Sequence, residues 1–203
     1  MFLQEIKATN IETAVHQIVS EHLEDSRKSA PKVFYFDGWE YGLGASAVLR
    51  AIAEHPPPSL WEKFDKIIHI DCTRWKSRRA LQRAIADELK ITQQVAADFD
   101  RQDEEDDFSG LDQGSRAEIP DVTIVIARSL GQYRCLVIFH NGSDGMVDLA
   151  SCGIPPPQLF GTKVLWCFSG GQLRDNSGFF ETRTYHSSVF FMLLIFLANG
   201  MQY

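Results

Sequence analysis

Five stretches of the chain are apolar without strict alternation, and between them apolar residues recur at helical spacing. The runs are 33–36 (VFYF), 66–71 (KIIHID), 134–140 (RCLVIFH), 162–168 (TKVLWCF) and 189–198 (VFFMLLIFLA). The first four have strand length, and a run without alternation suits a strand covered on both faces. The last is ten residues, too short to cross a bilayer as a helix. It reads as a buried strand, a core helix or an apolar end left uncovered. Helical spacing places Ile11, Ala14, Val15, Ile18 and His22 or Leu23 on one face of 10–24, with Asn10 as a cap. It does the same for Val48, Leu49 and Ile52 in 46–54, a helix that His55 and Pro56, Pro57 and Pro58 end. Ser77 caps a helix over 77–90 with Leu81, Ala84, Ile85 and Leu89 on its face. Residues 120–130 are β-branched enough for a strand, but a crossover must precede the next strand, so a helix is expected there. One helical turn is expected at 146–149 and a further strand at 182–188. Strands alternating with helices predict an α/β fold, a doubly wound parallel sheet of four to five strands with right-handed crossovers. Ligands of such sheets sit outside the carboxyl ends of the strands.

Charge changes this picture locally. The chain carries a net charge of −7, but residues 98–107 hold seven acids and one arginine, so the remainder is near −1. That stretch reads as a solvated, mobile loop, without the glycine and ligand spacing of a calcium loop. Arg78, Arg79 and Arg83, with Arg74 and Lys76, form a basic cluster read as a solvated helix face, with an anion or acidic partner as the alternative. No general nucleic-acid surface is expected from this balance. Cys72, Cys135, Cys152 and Cys167 show no paired spacing, which points to reduced thiols, a cytoplasmic setting and no metal site. The first ten residues lack a secretory signal, and no membrane segment is expected.

The stretch with chemistry is 33–52, VFYFDGWEYGLGASAVLRAI. An apolar strand leads into Gly38, Gly42 and Gly44, and a helix then opens with Ala45, Ser46 and Ala47. A strand, a glycine loop and a helix N-terminus is the layout of a phosphate-binding loop. The glycines let backbone N–H groups approach an anion, and the helix dipole adds roughly half a positive charge. Ala45 stands where that motif has lysine, Ser46 keeps the hydroxyl that would meet magnesium, and Gly38 is one place early. Glu40 adds a negative charge to the same loop. The plain alternative is a strand-to-helix turn whose glycines serve packing.

In this order the pieces resemble the nucleotide-binding (NB-ARC) domain of plant disease-resistance proteins, the NLR class of switch ATPases, over about residues 30–190. The most specific stretch is FDKIIHIDCTRWKSRRALQRAIADELKI, 64–91, similar to the family's strand and helix after the phosphate loop. Gly161, Thr162, Lys163, Val164 and Leu165 resemble its "G-S-K-V/I-L" strand, and LASCGIP, 149–155, resembles the region before it. The resemblance implies a P-loop NTPase-like fold: an N-terminal helix and linker over 1–30, a nucleotide-binding subdomain over 31–190 and an apolar tail over 191–203. The family's further lid subdomains have no counterpart here, as in a shortened receptor. Where the family has two aspartates after the third strand, this chain has His140 and Asn141. Where it has an arginine sensing the γ-phosphate, this chain has Cys167, Phe168 and Ser169.

The resemblance therefore implies a cofactor set of ADP or ATP held mainly by backbone N–H groups, with Mg2+ left only the Ser46 hydroxyl. A lysine–phosphate bond contributes about 1.5–3 kcal/mol, so its loss weakens binding roughly ten- to 150-fold. Hydrolysis, which rests on positioned charge, is expected to be lost. Its partners would be other NLR domains or defense proteins. The competing expectation is an interaction or regulatory fragment that binds no nucleotide.

Overall fold

The computed structural model describes residues 2–27, 30, 32–37, 44–74, 77–142, 147–155, 161–168, 173–174 and 190–197. Its strands are β1 (Phe2–Ala8), β2 (Val33–Asp37), β3 (Lys66–Asp71), β4 (Cys135–Gly142), β5 (Val147–Asp148), β6 (Lys163–Phe168), β7 (Leu173–Arg174) and β8 (Phe190–Leu197). Its α-helices are α1 (Ile11–Ile18), α2 (Ala45–Glu54), α3 (Pro58–Lys63), α4 (Arg78–Leu89), α5 (Thr92–Phe108) and α6 (Pro120–Leu130). The fold is α/β with an all-parallel main sheet of six strands in the order β1-β8-β2-β6-β4-β3. The expected count of four to five strands falls short because β1, a segment without a clear pattern, pairs with β8 from the far end of the chain.

Alternation along the central strands sends side chains to two separate cores. Phe34, Phe36, Leu136, Ile138, Leu165 and Cys167 meet α1, α2 and Leu60 of α3. Ile68, Ile70, Val137, Phe139, Val164 and Trp166 meet α4, α5 and α6 on the other face. The interior strands read as continuous apolar runs because both faces are covered.

Local signals place the helices. Asn10 accepts from the Thr13 N–H at 2.8 Å and caps α1, which runs on into a π-helical turn, Val19–Leu23. Ser77 accepts from the Ala80 N–H at 3.2 Å and caps α4. The prolines that end α2 also start α3, whose first position, Pro58, needs no N–H partner. In α6, Pro120 is the first helical residue and Gly131 the C-cap; Asp121 lies inside the first turn. Gly153, in the loop after β5, has φ of +85°, and an added Cβ would stand 2.7 Å from the Thr123 carbonyl and 2.8 Å from Ile126.

Three expectations are corrected. Residues 98–107 are no loop: they lie in α5, anchored by the buried Val95 and Phe99. The basic cluster is only in part a solvated face: Arg74 and Arg78 are exposed, but Arg79 and Arg83 are drawn into ion pairs. Arg79 is buried, pairs with Asp103 at 2.7 Å and with Asp106, and its Nε donates to the Ala117 carbonyl at 3.1 Å. Arg83 pairs with Asp103 at 2.6 Å and Arg78 with Glu118 at 2.9 Å. The acidic partner of the basic helix is thus the chain's own next helix. The expected helical turn at 146–149 is instead β5, which pairs parallel with β7; Met146 lies outside the described residues, as does 182–188.

Candidate functional site

The carboxyl ends of β2, β6, β4 and β3 lie side by side, and the chain reverses direction across the sheet between two of them. From β2 the next main-sheet strand is β3, beyond β6 and β4; from β6 the next is β8, on the other side of β2. The crevice between β2 and β6 is therefore a topological switch point, the place where open parallel sheets bind ligands.

At that crevice α2 begins. Gly44 is its N-cap with φ of +111°, a left-handed conformation that strains any residue with a Cβ. A glycine cap has no side chain to offer, so it leaves the first N–H groups of α2 without a side-chain cap. Ala45 is fully buried in the core under α2, Ser46 is half-buried and Ala47 exposed. A lysine at position 45 would run into that core, so only the backbone N–H of Ala45 is available to an anion. The Ser46 hydroxyl lies 3.7 Å from the Cys167 thiol across the crevice, at the end of β6. Gly38 and Gly42 lie outside the described residues.

The end of β4 is irregular. Phe139 pairs with Trp166 and Gly142 with Phe168, so His140 and Asn141 oppose the single residue Cys167. Such a bulge re-aims side chains and is common beside functional sites. On its other side His140 pairs in register with Asp71 of β3. The His140 ring is buried and stacked on His69, with centroids 4.6 Å apart and His69 Nε2 2.9 Å from His140 Nδ1. One of these nitrogens must donate and the other accept. His140 Nε2 lies 3.9 Å from Asp71 Oδ1, beyond hydrogen-bond reach. Burial lowers both histidine pKa values; for His69 the neighbouring His140 lowers it further, while for His140 the Asp71 carboxylate opposes the shift. Asp71 Oδ1 itself accepts from the Thr73 N–H at 3.1 Å and the Thr73 hydroxyl at 2.8 Å.

Of the residues expected at the site, Gly44, Ala45, Ser46 and Ala47 form one helix start, and His140 and Asn141 end a strand at the same sheet edge. His69 and Asp71 were missed as neighbours of His140. A two-residue alternation with β3 beside β4 would put both imidazoles on one face, but that adjacency is not a property of either segment. Magnesium prefers near-octahedral oxygen ligands. The end of β4 offers a histidine held in a stack and an amide, His140 and Asn141, rather than carboxylates, and no group of three or more His, Cys, Asp or Glu side chains among the described residues can hold a metal. The residues do not fit a magnesium centre. A phosphate, which needs only N–H donors, fits the α2 start. A groove of about 560 Å³ lies elsewhere, between α1 and the α2–α3 junction. The chain matches no family model and no curated protein.

Proposed function

We propose that the chain is a nucleotide-binding module without hydrolytic activity, which takes ADP, or ATP, weakly through backbone N–H groups at the start of α2. The observation that carries this reading is the left-handed Gly44 opening α2 at the switch point between β2 and β6. The fully buried Ala45 and the stacked His140 support the loss of hydrolysis, since neither can supply the cation or acid that phosphoryl transfer needs. The finer reading rests on the sequence resemblance: a P-loop NTPase-like, degenerate NB-ARC module of a cytoplasmic plant immune receptor, acting in defense with other receptor domains. No described helix is long and apolar enough to cross a membrane.

Calorimetric titration with ADP and ATP, each with and without Mg2+, tests the proposal. Saturable binding near a dissociation constant of about 1 mM, unchanged by Mg2+ and without phosphate release, is expected. Absence of saturation well above that concentration would leave the interaction-fragment reading instead. Gly44→Ala should weaken nucleotide binding more than Ser46→Ala, because the former disturbs the N–H cradle itself.

A further inference from the structure

His140 carries a ring nitrogen that no described residue uses. The side chain is 1% exposed, and its Nε2 has no hydrogen-bond partner among the described residues. Buried polar groups are nearly always paired, so an orphan at the ligand-binding edge of a sheet calls for an explanation. Its Nδ1 is committed to His69 Nε2 at 2.9 Å, within the stack. While both rings are neutral, only one of them donates across that contact. His140 Nε2 is then either an N–H without an acceptor or a bare nitrogen 3.9 Å from a carboxylate oxygen of Asp71. A protonated His140 fits better: its Nδ1–H donates to His69 Nε2, and its charge stands near Asp71.

The ring lies on the α2 side of the sheet. Ile138, two residues before it, and Cys167, opposite it on β6, both belong to the core under α2. Cys167 is one strand spacing away, about 4.8 Å. Its thiol is 3.7 Å from the hydroxyl of Ser46, the second residue of α2. Arg50 and Glu54 follow at four-residue spacing along the same helix face. The charged and titratable groups facing His140 are therefore Asp71 and His69 of β3, Arg50 and Glu54 of α2, and the Cys167 thiol of β6. Burial is the largest influence and disfavours the proton, as does Arg50, while Asp71 and Glu54 favour it. At neutral pH the ring is uncharged and gives the site no cation.

We infer that the anion site at the start of α2 is proton-linked: a phosphate group there and a proton on His140 bind together, the imidazolium standing in for the cation that Ala45 cannot supply. The inference rests on the nucleotide reading above and names how that same site is regulated. No contact between ring and phosphate is needed, because charges in a crevice poor in water attract over longer distances than in bulk solvent. The coupling is reciprocal: by whatever factor the phosphate favours the protonated ring, the proton favours the phosphate. His140 titrates below its ordinary value near 6.5 in the protein alone. A bound phosphate raises that value, so affinity for nucleotide rises as pH falls toward 6.

Proton NMR titration of the histidine Hε1 resonances, with and without saturating ADP, tests this on the intact chain. ADP should raise the midpoint of the coupled His69–His140 pair by about one pH unit, a tenfold coupling. Calorimetry near pH 6.5, in two buffers of different ionisation enthalpy, should show more protons taken up with ADP by the wild-type chain than by His140→Gln. The nucleotide's own phosphate titrates alike in both arms and drops out of the difference. Asp71→Asn, which removes the carboxylate that favours the proton, should lower the uptake near pH 6.5. An ADP complex that leaves every histidine midpoint where it was overturns the inference and leaves the nucleotide reading standing. The absence of ADP binding between pH 6 and 8 overturns both. Should His140→Gln fail to fold, the wild-type midpoints alone decide.

Discussion

Lys163 opens β6 in the interior, where its ammonium donates to the carbonyls of His22, Leu23 and Asp25 at 2.6, 3.0 and 2.8 Å. Three donors meet three acceptors at the negative end of the π-helical turn. Burial pushes the amine down to about 8, so it keeps its proton at neutral pH. Lys163→Met should cost about 3 kcal/mol in urea unfolding, since three carbonyls lose a buried donor. In the sequence Lys163 was only one residue of a strand pattern, because its partners lie some 140 positions earlier. The histidines make a second prediction. His69, His140 and His22 are held neutral chiefly by burial, below the value near 6.5 that they take in an unfolded chain. The unfolded state therefore binds more protons just below pH 6.5, and stability is present above that pH and lost as pH falls through the native pKa values. Urea midpoints should drop between pH 7.5 and 5.5, above the range where carboxylates titrate, and His140→Gln should flatten that slope.

Helix α5 shows how a whole element can be misread from its own residues. Seven acids in ten positions repel one another in isolation, and only Val95 and Phe99 offer apolar anchors. Arg79, Arg83 and Arg116 supply the missing charge from outside the helix. Arg79→Ala should cost about 3–5 kcal/mol, because Asp103 and Asp106 would lose a nine-tenths buried partner. Arg78→Ala, at a pair whose arginine is 57% exposed, should cost no more than about 1 kcal/mol in the same denaturation experiment. Helices α1, α2 and α4 were legible because caps, prolines and apolar spacing are local signals, whereas α6, whose β-branched residues favour a strand, was expected from its place between two strands. Gly153 shows a local signal with a tertiary cause: its left-handed φ and the α6 backbone behind it exclude a side chain. Gly153→Ala should destabilise the protein by about 2–4 kcal/mol, combining backbone strain with overpacking, as a lowered thermal midpoint would report.

Across the whole molecule, binding that favours the native state must appear as stability. If ADP binds with a dissociation constant of about 1 mM, then 10 mM ADP should add about 1.4 kcal/mol, and the thermal midpoint should rise accordingly. The same addition to Gly44→Ala should raise it less. Read alone, the sequence determined the α/β class, the parallel character of the sheet, the bounds of β3 and α6 and the glycine-led helix start. The bounds of β3 and the helix start follow from side-chain periodicity or backbone chemistry within one segment, the parallel sheet and α6 from the alternation of segments along the chain. The tertiary structure decided what depends on strand order: the pairing of β1 with β8, the switch point beside β2, the His69–His140 stack and the burial of Arg79 and Lys163. Those contacts join residues far apart in the chain, and burial of two whole faces, rather than any local preference, selects among the registers and orders that the segments permit.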